Sequence, residues 1–402
     1  MNGRVVVVGA GQAAAQLAIS LRQMGHAGPL TLIGDEPEPP YQRPPLSKKY
    51  LTGEVAADRA YVKPAGFYAQ AGIGLVLGRR VTAIDLAART VRDDAGAAHP
   101  FDSLALCMGT RARRLPLPGA GLDGVCYLRT LADAVRIRAL AAEGRPAVVI
   151  GGGYIGLEVA ASLRQLGCEV TVVEAQPRVL NRVVAEPVSA FFTAEHRARG
   201  VAIETGTGIA GLEGEGRVAA VRGADGRVWP AGLVVVGIGA VPNDELAREA
   251  GLAVDNGIVV DACGRTSAPG VWAAGDVTNH PSNLYARRVR LESVHNAMAQ
   301  AKTVAASMLG RDEAYDEVPW FWSDQYDLKL QIAGLSTGAG QVVLRGEPAS
   351  RAFSCLYMDD GRLLAVDAIN RPSDFIQAKR LIAERRRLDP ERCADPAVRL
   401  GD

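Results

Sequence analysis

The chain has 402 residues, of which 48% are hydrophobic and 22% are charged. Its 45 Lys and Arg residues nearly balance its 44 Asp and Glu residues, so the formal net charge is +1. This balance excludes a generally basic nucleic-acid-binding protein, and the length predicts two or three domains. No stretch has the roughly 18 consecutive apolar residues that span a bilayer. The first predicted strand begins at Arg4, so we expect a soluble, cytoplasmic protein without a signal peptide.

The spacing of cysteines and histidines excludes several redox and metal sites. The six cysteines contain no C-x-x-C or C-x4-C pair, so we predict neither a redox dithiol nor a thiolate-bound metal cluster. Most of them are expected in the core. The five histidines lack metal-ligand spacing such as H-E-x-x-H, and we interpret them as isolated surface or loop residues. Any redox chemistry therefore requires a bound cofactor.

A strand, a glycine-rich turn and a helix open the chain. RVVVV at 4–8 is a continuous apolar run, typical of a parallel strand covered on both faces. A helix is predicted from Gln12 to about Met24, and TLIGD at 31–35 predicts a second strand. The same pattern recurs at 147–174, with the strand AVVI, a second glycine-rich turn, a helix and the strand EVTVVE. The chain therefore contains two copies of a βαβ unit.

Turn residues and apolar runs divide the rest of the chain. Strands that end in glycine are predicted at 104–110 and 233–239, and a further strand at 270–277. Loops rich in Pro and Gly at 115–124 and 239–243 indicate crossings between domains.

The segment beyond Pro319 has a different pattern. Short apolar stretches from PWFWSDQYD to RLLAVDAIN predict a small antiparallel sheet. A basic helix is predicted from about Ser373 to Arg387, and an irregular tail from Leu388. The predicted fold class is α/β, with two Rossmann-like dinucleotide-binding domains and a C-terminal α+β domain. The predicted limits are 1–112 with 241–319 for the first domain, 113–240 for the second and 320–402 for the third.

Each βαβ unit carries the glycine pattern of a dinucleotide site. Such a turn lets backbone amides approach a pyrophosphate at the positive N-terminus of a helix. One pattern alone could be a tight strand-to-helix turn, but both are followed by an acid, Asp35 or Glu174, at the end of the next strand. We therefore predict two dinucleotides. The pattern positions are Gly9, Gly11 and Ala14 in the first turn and Gly151, Gly153 and Gly156 in the second.

Glu174 ends its strand where a carboxylate can accept hydrogen bonds from a ribose 2′-hydroxyl. No arginine follows immediately to bind a 2′-phosphate, which favours NADH over NADPH. Arg178 and Arg182 lie a few residues further on and could soften this preference. The alternative interpretation of Glu174 is a solvated strand end.

Eight segments in chain order carry a resemblance to a known family. They are GAGQAA (9–14), PPYQRPPLSKKYL (39–51), GGGYIGLEVAASL (151–163), GIGAVPN (237–243), VWAAGDV (271–277), LESVHNA (291–297), PWFWSDQYD (319–327) and AVDAINRP (365–372). The chain resembles the FAD-dependent, NADH-oxidising ferredoxin reductases, in particular those of the putidaredoxin-reductase type and of aromatic-ring dioxygenases. It departs from them at Ala14, often glycine in the family, and at CMG (107–109), where many relatives have ATG. The resemblance implies a glutathione-reductase-like architecture with FAD in the first domain and NADH in the second.

The resemblance also implies which residues hold FAD. Asp276 follows an apolar strand, where a carboxylate can bind a ribityl hydroxyl; the alternative is a helix N-cap. The implied FAD-binding residues are Gly9, Gly11, Ala13, Asp35, Arg43, Lys48, Val81, Arg129, Asp276, Val294 and Trp322.

Four side chains are implied to act at the flavin and the nicotinamide. Lys48 would lie beside the flavin ring and stabilise negative charge on the reduced flavin, and we hypothesise that Glu158 pairs with it across the domain interface. Tyr154 is hypothesised to shield the flavin face until nicotinamide displaces it, and Trp322 to pack by the flavin. The alternatives are an exposed lysine, a solvated helix glutamate, a ring packed between domains and an ordinary core tryptophan. The predicted NAD-binding residues are Gly151, Gly153, Tyr154, Ile155, Gly156, Glu158, Glu174 and Gly239.

The implied activity joins a two-electron donor to a one-electron acceptor. A flavin can take hydride from NADH and release single electrons. Because no dithiol is predicted and no cysteine lies in 35–53, electrons would pass directly to a docked small acidic iron-sulfur ferredoxin that feeds a monooxygenase or dioxygenase. We expect a monomer or weak dimer, with no nucleic-acid or membrane partner. Basic candidates for docking are Arg287, Arg288, Arg290, Lys302, Lys379 and Arg380, although a solvated helix face is the alternative.

Two other functions stay open at this point. A rubredoxin reductase or a monodehydroascorbate-type reductase would share nearly all of these motifs and differ in the acceptor. An NADH-switched flavoprotein interaction module would instead show slow flavin reduction and a long-lived charge-transfer complex.

Overall fold

The computed structural model describes residues 3–401, except for the side chain of Ala65. These residues form two compact units. The first takes the residues up to Gln42, Asp58–Arg111 and Val241–Pro319. The second takes Arg43–Ala57, Ala112–Ala240 and the residues from Trp320 onward. The three-domain limits stay a prediction.

The first unit is built on a five-stranded parallel sheet. Its central strand is VVVV at Val5–Val8, whose side chains are at most 5% exposed because both faces of the sheet are covered. The helix Gln12–Gln23 buries Leu17 and Leu21 in the core that also contains Val5. The strand order is Ile73–Val76, Leu30–Ile33, Val5–Val8, Ser103–Leu106 and Val271–Ala273.

The second unit repeats this arrangement. Its central strand AVVI at Ala147–Ile150 is equally buried, and the helix Tyr154–Gln165 follows it. All neighbouring strands are parallel, so the predicted repeat of the βαβ unit is confirmed. The strand order is Val201–Thr205, Val170–Glu174, Ala147–Ile150, Leu233–Val236 and Val125–Tyr127.

A five-stranded antiparallel sheet follows Pro319, as predicted. Along its first strand the side chains alternate between the two faces, so Phe321, Ser323 and Gln325 share one face while Trp320 and Trp322 share the other. The strand order is Trp320–Gln325, Leu328–Gly334, Arg362–Ile369, Phe353–Asp359 and Gln341–Arg345.

The prediction of an irregular C-terminal tail was wrong in part. The predicted basic helix spans Pro372–Ala383, and a second short helix forms at Pro390–Ala394. The tail is ordered because the buried guanidinium of Arg345 donates hydrogen bonds to the backbone carbonyls of Cys393, Asp395 and Val398. Unpaired carbonyls near the chain end thus find a charged donor.

The remaining helices and strands vary in length. One predicted strand, 270–277, ends at Ala273 because Gly275 turns the chain with a φ of 87°. The other helices are Ala57–Ala60, Ala65–Gln70, Leu131–Ala141, Glu186–Ala198, Glu245–Glu249 and Val294–Met308, with 3-10 helices at Pro44–Ser47 and Pro348–Ser350. The other strands are Val81–Asp85, Thr90–Asp93, Ala98–Pro100, Thr110–Ala112, Ile209–Glu213, Ala220–Gly223, Val228–Pro230, Ala240–Pro242, Ile258–Val259, Thr278–Ser282 and Arg287–Val289.

The histidines are more buried than the sequence predicted. His26, His196 and His280 are at most 4% exposed. His26 lies in a loop, whereas His196 lies in a helix and His280 in a strand, so the interpretation as surface or loop residues was wrong for these last two. Burial lowers the pKa of His280 to about 4 and also lowers the pKa of His196, because a charged imidazole is poorly solvated in the interior. The cysteines are core residues as predicted, except Cys263, which is partly exposed.

Within residues 3–401, none of the helices combines the length and apolar character needed to cross a membrane.

The buried ion pair of the C-terminal sheet predicts a large stability effect. Both side chains of the Arg345–Asp374 pair, with Nε and Oδ2 3.2 Å apart, are 2% exposed. Asp374→Ala leaves the guanidinium without its countercharge, so the free energy of unfolding in chemical denaturation should fall by about 3 kcal/mol or more. Asp360→Ala is the control, because its pair with Arg387 is exposed, and should change stability by less than about 1 kcal/mol. Equal effects of the two substitutions would contradict the prediction.

Candidate functional site

The first glycine turn brings backbone amides to the N-terminus of a helix. Gly9 has a φ of 115°, and a Cβ there would lie 2.3 Å from the carbonyl oxygen of Cys107. Gly11 is the N-cap of the helix Gln12–Gln23 and has no side chain to cap the first amides. Those amides and the helix dipole favour an anion. Ala14 is fully buried, so the methyl group fits the third pattern position.

The loop that carries Asp276 lies close to this turn. A Cβ on Gly275 would lie 2.9 Å from the Cβ of Ala13, so the loop that carries Asp276 approaches the turn. No helix begins at Asp276, since the strand Thr278–Ser282 follows, and the N-cap interpretation was wrong.

The acid at the end of the second strand also lies near the first turn. A Cβ on Gly34 would lie 2.4 Å from the Cβ of Ala10. The next residue, Asp35, lies 3.4 Å from Arg80, with both side chains mostly exposed. Val81 follows Arg80, and Val294 begins the helix Val294–Met308, which packs on the first helix.

The second glycine turn is tighter than the first. A Cβ on Gly151 would lie 2.4 Å from the carbonyl oxygen of Gly237, and a Cβ on Gly156 would lie 2.0 Å from the carbonyl oxygen of Gly151. Gly153 caps the helix Tyr154–Gln165 without a side-chain hydrogen bond. This turn therefore also presents free helix amides, and here the third glycine cannot be replaced by alanine without a shift of the backbone.

Glu174 braces the second turn rather than lying free at the strand end. Its Oε2 accepts a hydrogen bond from the backbone amide of Gly152 at 2.7 Å, and its Oε1 accepts one from the amide of Gln176 at 2.8 Å. The interpretation as a solvated strand end was wrong. Arg178, considered as a phosphate ligand, donates to the carbonyls of Asn181 and Val184 in its own loop.

Lys48 and Glu158 form a buried ion pair. The Lys48 Nζ lies 2.6 Å from the Glu158 Oε2, and their side chains are 17% and 5% exposed. The alternatives of an exposed lysine and a solvated glutamate were therefore wrong. The hypothesised contact between the two side chains is present. Both residues belong to the second compact unit, since Arg43–Ala57 groups with it, and a place for the pair near the hydride path stays a prediction.

Two serines that the sequence analysis missed complete the surroundings of Glu158. Ser47 donates to the Glu158 Oε2 at 2.5 Å, and Ser323 donates to the Oε1 at 2.7 Å. Ser162, one turn after Glu158, donates to the backbone carbonyl of Ser47 at 2.7 Å and ties the two segments together. The period-two alternation of the strand Trp320–Gln325 was the signal that could have placed Ser323 on an inward face.

Tyr154 is half-buried and packs against Phe321, with ring centroids 4.8 Å apart. Burial raises the pKa of its hydroxyl, and the nearby Asp367 raises it further. Trp322 lies on the opposite face of the strand, 5.7 Å from the Trp320 ring. The gate and flavin-packing hypotheses for Tyr154 and Trp322 stay predictions.

Four further predicted residues have defined surroundings in the second unit. Arg43 donates to the backbone carbonyl of Arg129 at 2.5 Å, so these two predicted FAD residues lie together. The carbonyl of Gly239, whose φ is 106°, accepts a hydrogen bond from the amide of Arg113. Ile155 is 50% exposed beside the second turn.

The basic candidates differ in availability. Arg288 donates to the carbonyls of Val260 and Asn279, and Arg290 is 13% exposed and pairs with Glu292, so both have structural roles. Lys302 is exposed, whereas the Lys379 Nζ lies over the Trp320 ring at 5.7 Å. Arg287 and Arg380 are exposed.

The two glycine turns fit two dinucleotides. Each has a glycine with positive φ where a Cβ would meet a carbonyl oxygen, and each leads into a 12-residue helix without a side-chain cap. Within residues 3–401, no group of three or more His, Cys, Asp or Glu side chains could hold a metal ion.

Comparison with known proteins agrees with this geometry. Residues 3–301 match the family described as pyridine nucleotide-disulphide oxidoreductase, and residues 320–402 match the family described as reductase C-terminal. The chain is 46% identical to a probable ferredoxin reductase of Castellaniella defragrans, over 99% of this chain and 98% of the relative. It is 44% identical to a putidaredoxin reductase of Pseudomonas putida, over 100% of this chain and 96% of the relative.

The chain belongs to the pyridine nucleotide-disulphide oxidoreductases, among the ferredoxin reductases. Its structure superposes on the reductase in a covalent putidaredoxin reductase-putidaredoxin complex with a TM-score of 0.96 and 44% identity, covering 98% of this chain and 96% of that one. A ferredoxin reductase of a CYP199A2 system from Rhodopseudomonas palustris gives a TM-score of 0.95 at 41% identity, covering 98% of each chain. The predicted fold, with two Rossmann-like domains and a C-terminal antiparallel sheet, is confirmed. The chain is an FAD-dependent oxidoreductase that uses NADH.

Two glycines of the second turn differ in the space around them, and we therefore predict that they differ in their tolerance of substitution by alanine. Alanine in a helix is usually more stable than glycine by about 1 kcal/mol. Gly156→Ala should nevertheless lower the free energy of unfolding by about 1–3 kcal/mol, because the new methyl group meets the Gly151 carbonyl. Gly153→Ala is the control, since nothing lies within 4 Å of its Cβ position. A Gly156→Ala protein as stable as the parent in urea titrations would show that the turn is looser than described.

Proposed function

We propose that this protein is the reductase component of an oxygenase system. It takes hydride from NADH onto FAD and passes single electrons to an iron-sulfur ferredoxin, which feeds a monooxygenase or dioxygenase. The observation that carries the proposal is the Lys48–Glu158 ion pair, in which the buried Glu158 lies on the helix that the second glycine turn begins. The similarity to reductases that are named for ferredoxin partners supports it.

The chain's own residues bind and orient the reactants. The first turn, with Gly9, Gly11 and Ala13, would hold the FAD pyrophosphate, and the second would hold that of NADH. Bound FAD supplies the chemistry that converts a two-electron hydride into single electrons. Glu158, which accepts hydrogen bonds from Ser47 and Ser323, fixes the Lys48 ammonium in one position, from which its positive charge would stabilise a reduced flavin.

The properties of the cysteines support an electron acceptor other than a disulfide of this protein. Burial raises the pKa of Cys107 and of Cys355 to about 12 and that of Cys126 to about 11, so these thiols stay protonated and unreactive at neutral pH. All six cysteines are free. Electrons therefore have no dithiol to pass through and leave to a separate protein.

Lys48 and its neighbour Lys49 provide a matched pair for testing the hydride step. Lys48→Ala should slow flavin reduction by NADH by about 100-fold, the size of effect expected when one charge-stabilising group is removed from a reaction site. Lys49→Ala should leave the rate unchanged, because Lys49 is exposed. Stopped-flow absorbance of the flavin measures both. Unchanged reduction in Lys48→Ala would remove Lys48 from the reaction, and slow reduction of the parent with a long-lived charge-transfer band would favour the NADH-switched module.

We further propose that the ferredoxin is acidic and docks near Lys302 and Lys379. Its steady-state reduction should then fall as ionic strength rises, because salt screens long-range attraction. Lys302→Gln and Lys379→Gln should each lower the association rate at low salt, whereas Lys329→Gln, also at an exposed lysine, serves as the control. Reduction that is insensitive to salt would count against electrostatic docking. Efficient reduction of a rubredoxin or of monodehydroascorbate in place of every ferredoxin tested would reassign the acceptor.

Three finer parts of this proposal stay predictions: the NADH preference over NADPH through Glu174, a monomeric or weakly dimeric state, and a cytoplasmic location.

A further inference from the structure

A chain of hydrogen bonds leads away from Glu158 into the interior of the second unit. Ser323, which donates to the Glu158 Oε1, accepts a hydrogen bond from the Nε2 of Gln325 at 3.2 Å. The Oε1 of Gln325 lies 2.8 Å from the Nε2 of His196, and the hydroxyl of Tyr326 lies 3.1 Å from the His196 Nδ1. Ser323, Gln325 and His196 are at most 1% exposed. These three buried side chains therefore depend on other protein groups for their hydrogen bonds.

The donor and acceptor properties of these side chains fix which group donates in each of the hydrogen bonds. A carboxylate only accepts hydrogen bonds, so the single hydroxyl proton of Ser323 is directed to Glu158. The Ser323 oxygen is then an acceptor, which orients the Gln325 amide with its NH2 toward Ser323 and its oxygen toward His196. His196 must therefore carry its proton on Nε2 and accept at Nδ1 from Tyr326.

The surroundings of His196 and Tyr326 are consistent with this order. Burial lowers the pKa of His196 and keeps the imidazole neutral, with one donor and one acceptor nitrogen. Burial also raises the pKa of Tyr326 to about 12, so its hydroxyl keeps its proton and can donate. The guanidinium of Arg199 lies over the Tyr326 ring at 4.5 Å and holds that end of the chain.

We propose that Ser323, Gln325 and His196 are positioning residues for the Lys48–Glu158 pair. Their one-directional hydrogen bonds hold the Glu158 carboxylate in a single orientation, and the carboxylate in turn fixes the Lys48 ammonium. The effect on hydride transfer rests on the proposed function. The order of the hydrogen bonds is independent of the proposed function, because it follows from the donors and acceptors of the protein itself.

The first test reads the hydrogen-bond order directly in the purified flavoprotein. Long-range proton-nitrogen correlation spectra of 15N-histidine-labelled protein report the tautomer, and His196→Asn identifies the His196 signals by their loss. We expect the Nε2–H tautomer in the parent. Ser323→Ala releases the Gln325 amide to turn over, so the His196 signals should move toward a mixture of tautomers. A parent in the Nδ1–H form, or His196 signals unchanged by Ser323→Ala, would overturn the proposal.

Ser354→Ala is the matched control. Ser354 is a fully buried serine of the same sheet that also donates to a buried carboxylate, that of Asp374 at 2.9 Å. It lies outside the chain of hydrogen bonds to Glu158. Its replacement should leave the His196 signals in place.

The second test is stopped-flow flavin reduction by NADH. Ser323→Ala should lower the limiting rate about tenfold, the effect of removing one hydrogen bond to a buried charged group, with the half-saturating NADH concentration unchanged. Ser323→Thr keeps the hydroxyl and should restore the limiting rate, and Ser354→Ala should match the parent.

The outcomes separate the two proposals. An unchanged limiting rate in Ser323→Ala overturns the positioning role. If NADH fails to reduce the flavin of the parent, the proposed function falls, while the His196 spectra still decide the hydrogen-bond order.

Discussion

The burial of one carboxylate, that of Glu158, determines which segments of the chain come together in the second unit. Glu158 is 4% exposed, and an isolated charge in such a position would cost several kcal/mol. Its two oxygens are satisfied by Lys48, Ser47 and Ser323, which come from a 3-10 helix and a strand far apart in the sequence. The segment Arg43–Ala57 therefore groups with the second unit, although the chain on both sides of it belongs to the first.

The two glycine turns show how one motif is adapted to different packing. In both, the first glycine has a positive φ and lies against the carbonyl of a neighbouring strand end. The third position differs: the first turn buries the methyl group of Ala14, whereas the second leaves no space for one at Gly156. Glu174 adds a brace to the second turn by accepting the amide of Gly152.

Much of the fold could be predicted from the sequence because its signals are local. Four-residue apolar strands such as Val5–Val8, followed by glycine and a helix, specify the βαβ unit without knowledge of the partners. The pairing of Lys48 with Glu158 was predictable only through the family resemblance, since the local sequence around either residue carries no pattern that indicates its partner. Ser47, Ser323 and Phe321 were missed for the same reason.

The errors also have physical causes. His196 was interpreted as a surface or loop residue because the histidines lack metal-ligand spacing, yet Gln325 and Tyr326 satisfy both of its nitrogens in the interior. The tail after Leu388 has little apolar periodicity, and its order depends on Arg345, more than 40 residues earlier in the chain. Interactions of this kind are tertiary and leave no local pattern.

The sequence positions of the residues that contact Glu158 also constrain the order in which parts of the protein can fold. Ser47 and Glu158 are 111 residues apart in the chain, and Glu158 and Ser323 are 165 apart. Contacts of such long range form late, because the intervening chain must first be brought together. During synthesis, the helix that carries Glu158 emerges from the ribosome long before Ser323 does, so its carboxylate must stay hydrated until the C-terminal sheet arrives. The surroundings of Glu158 are thus completed late in folding, when the C-terminal sheet packs against the helix that carries this residue.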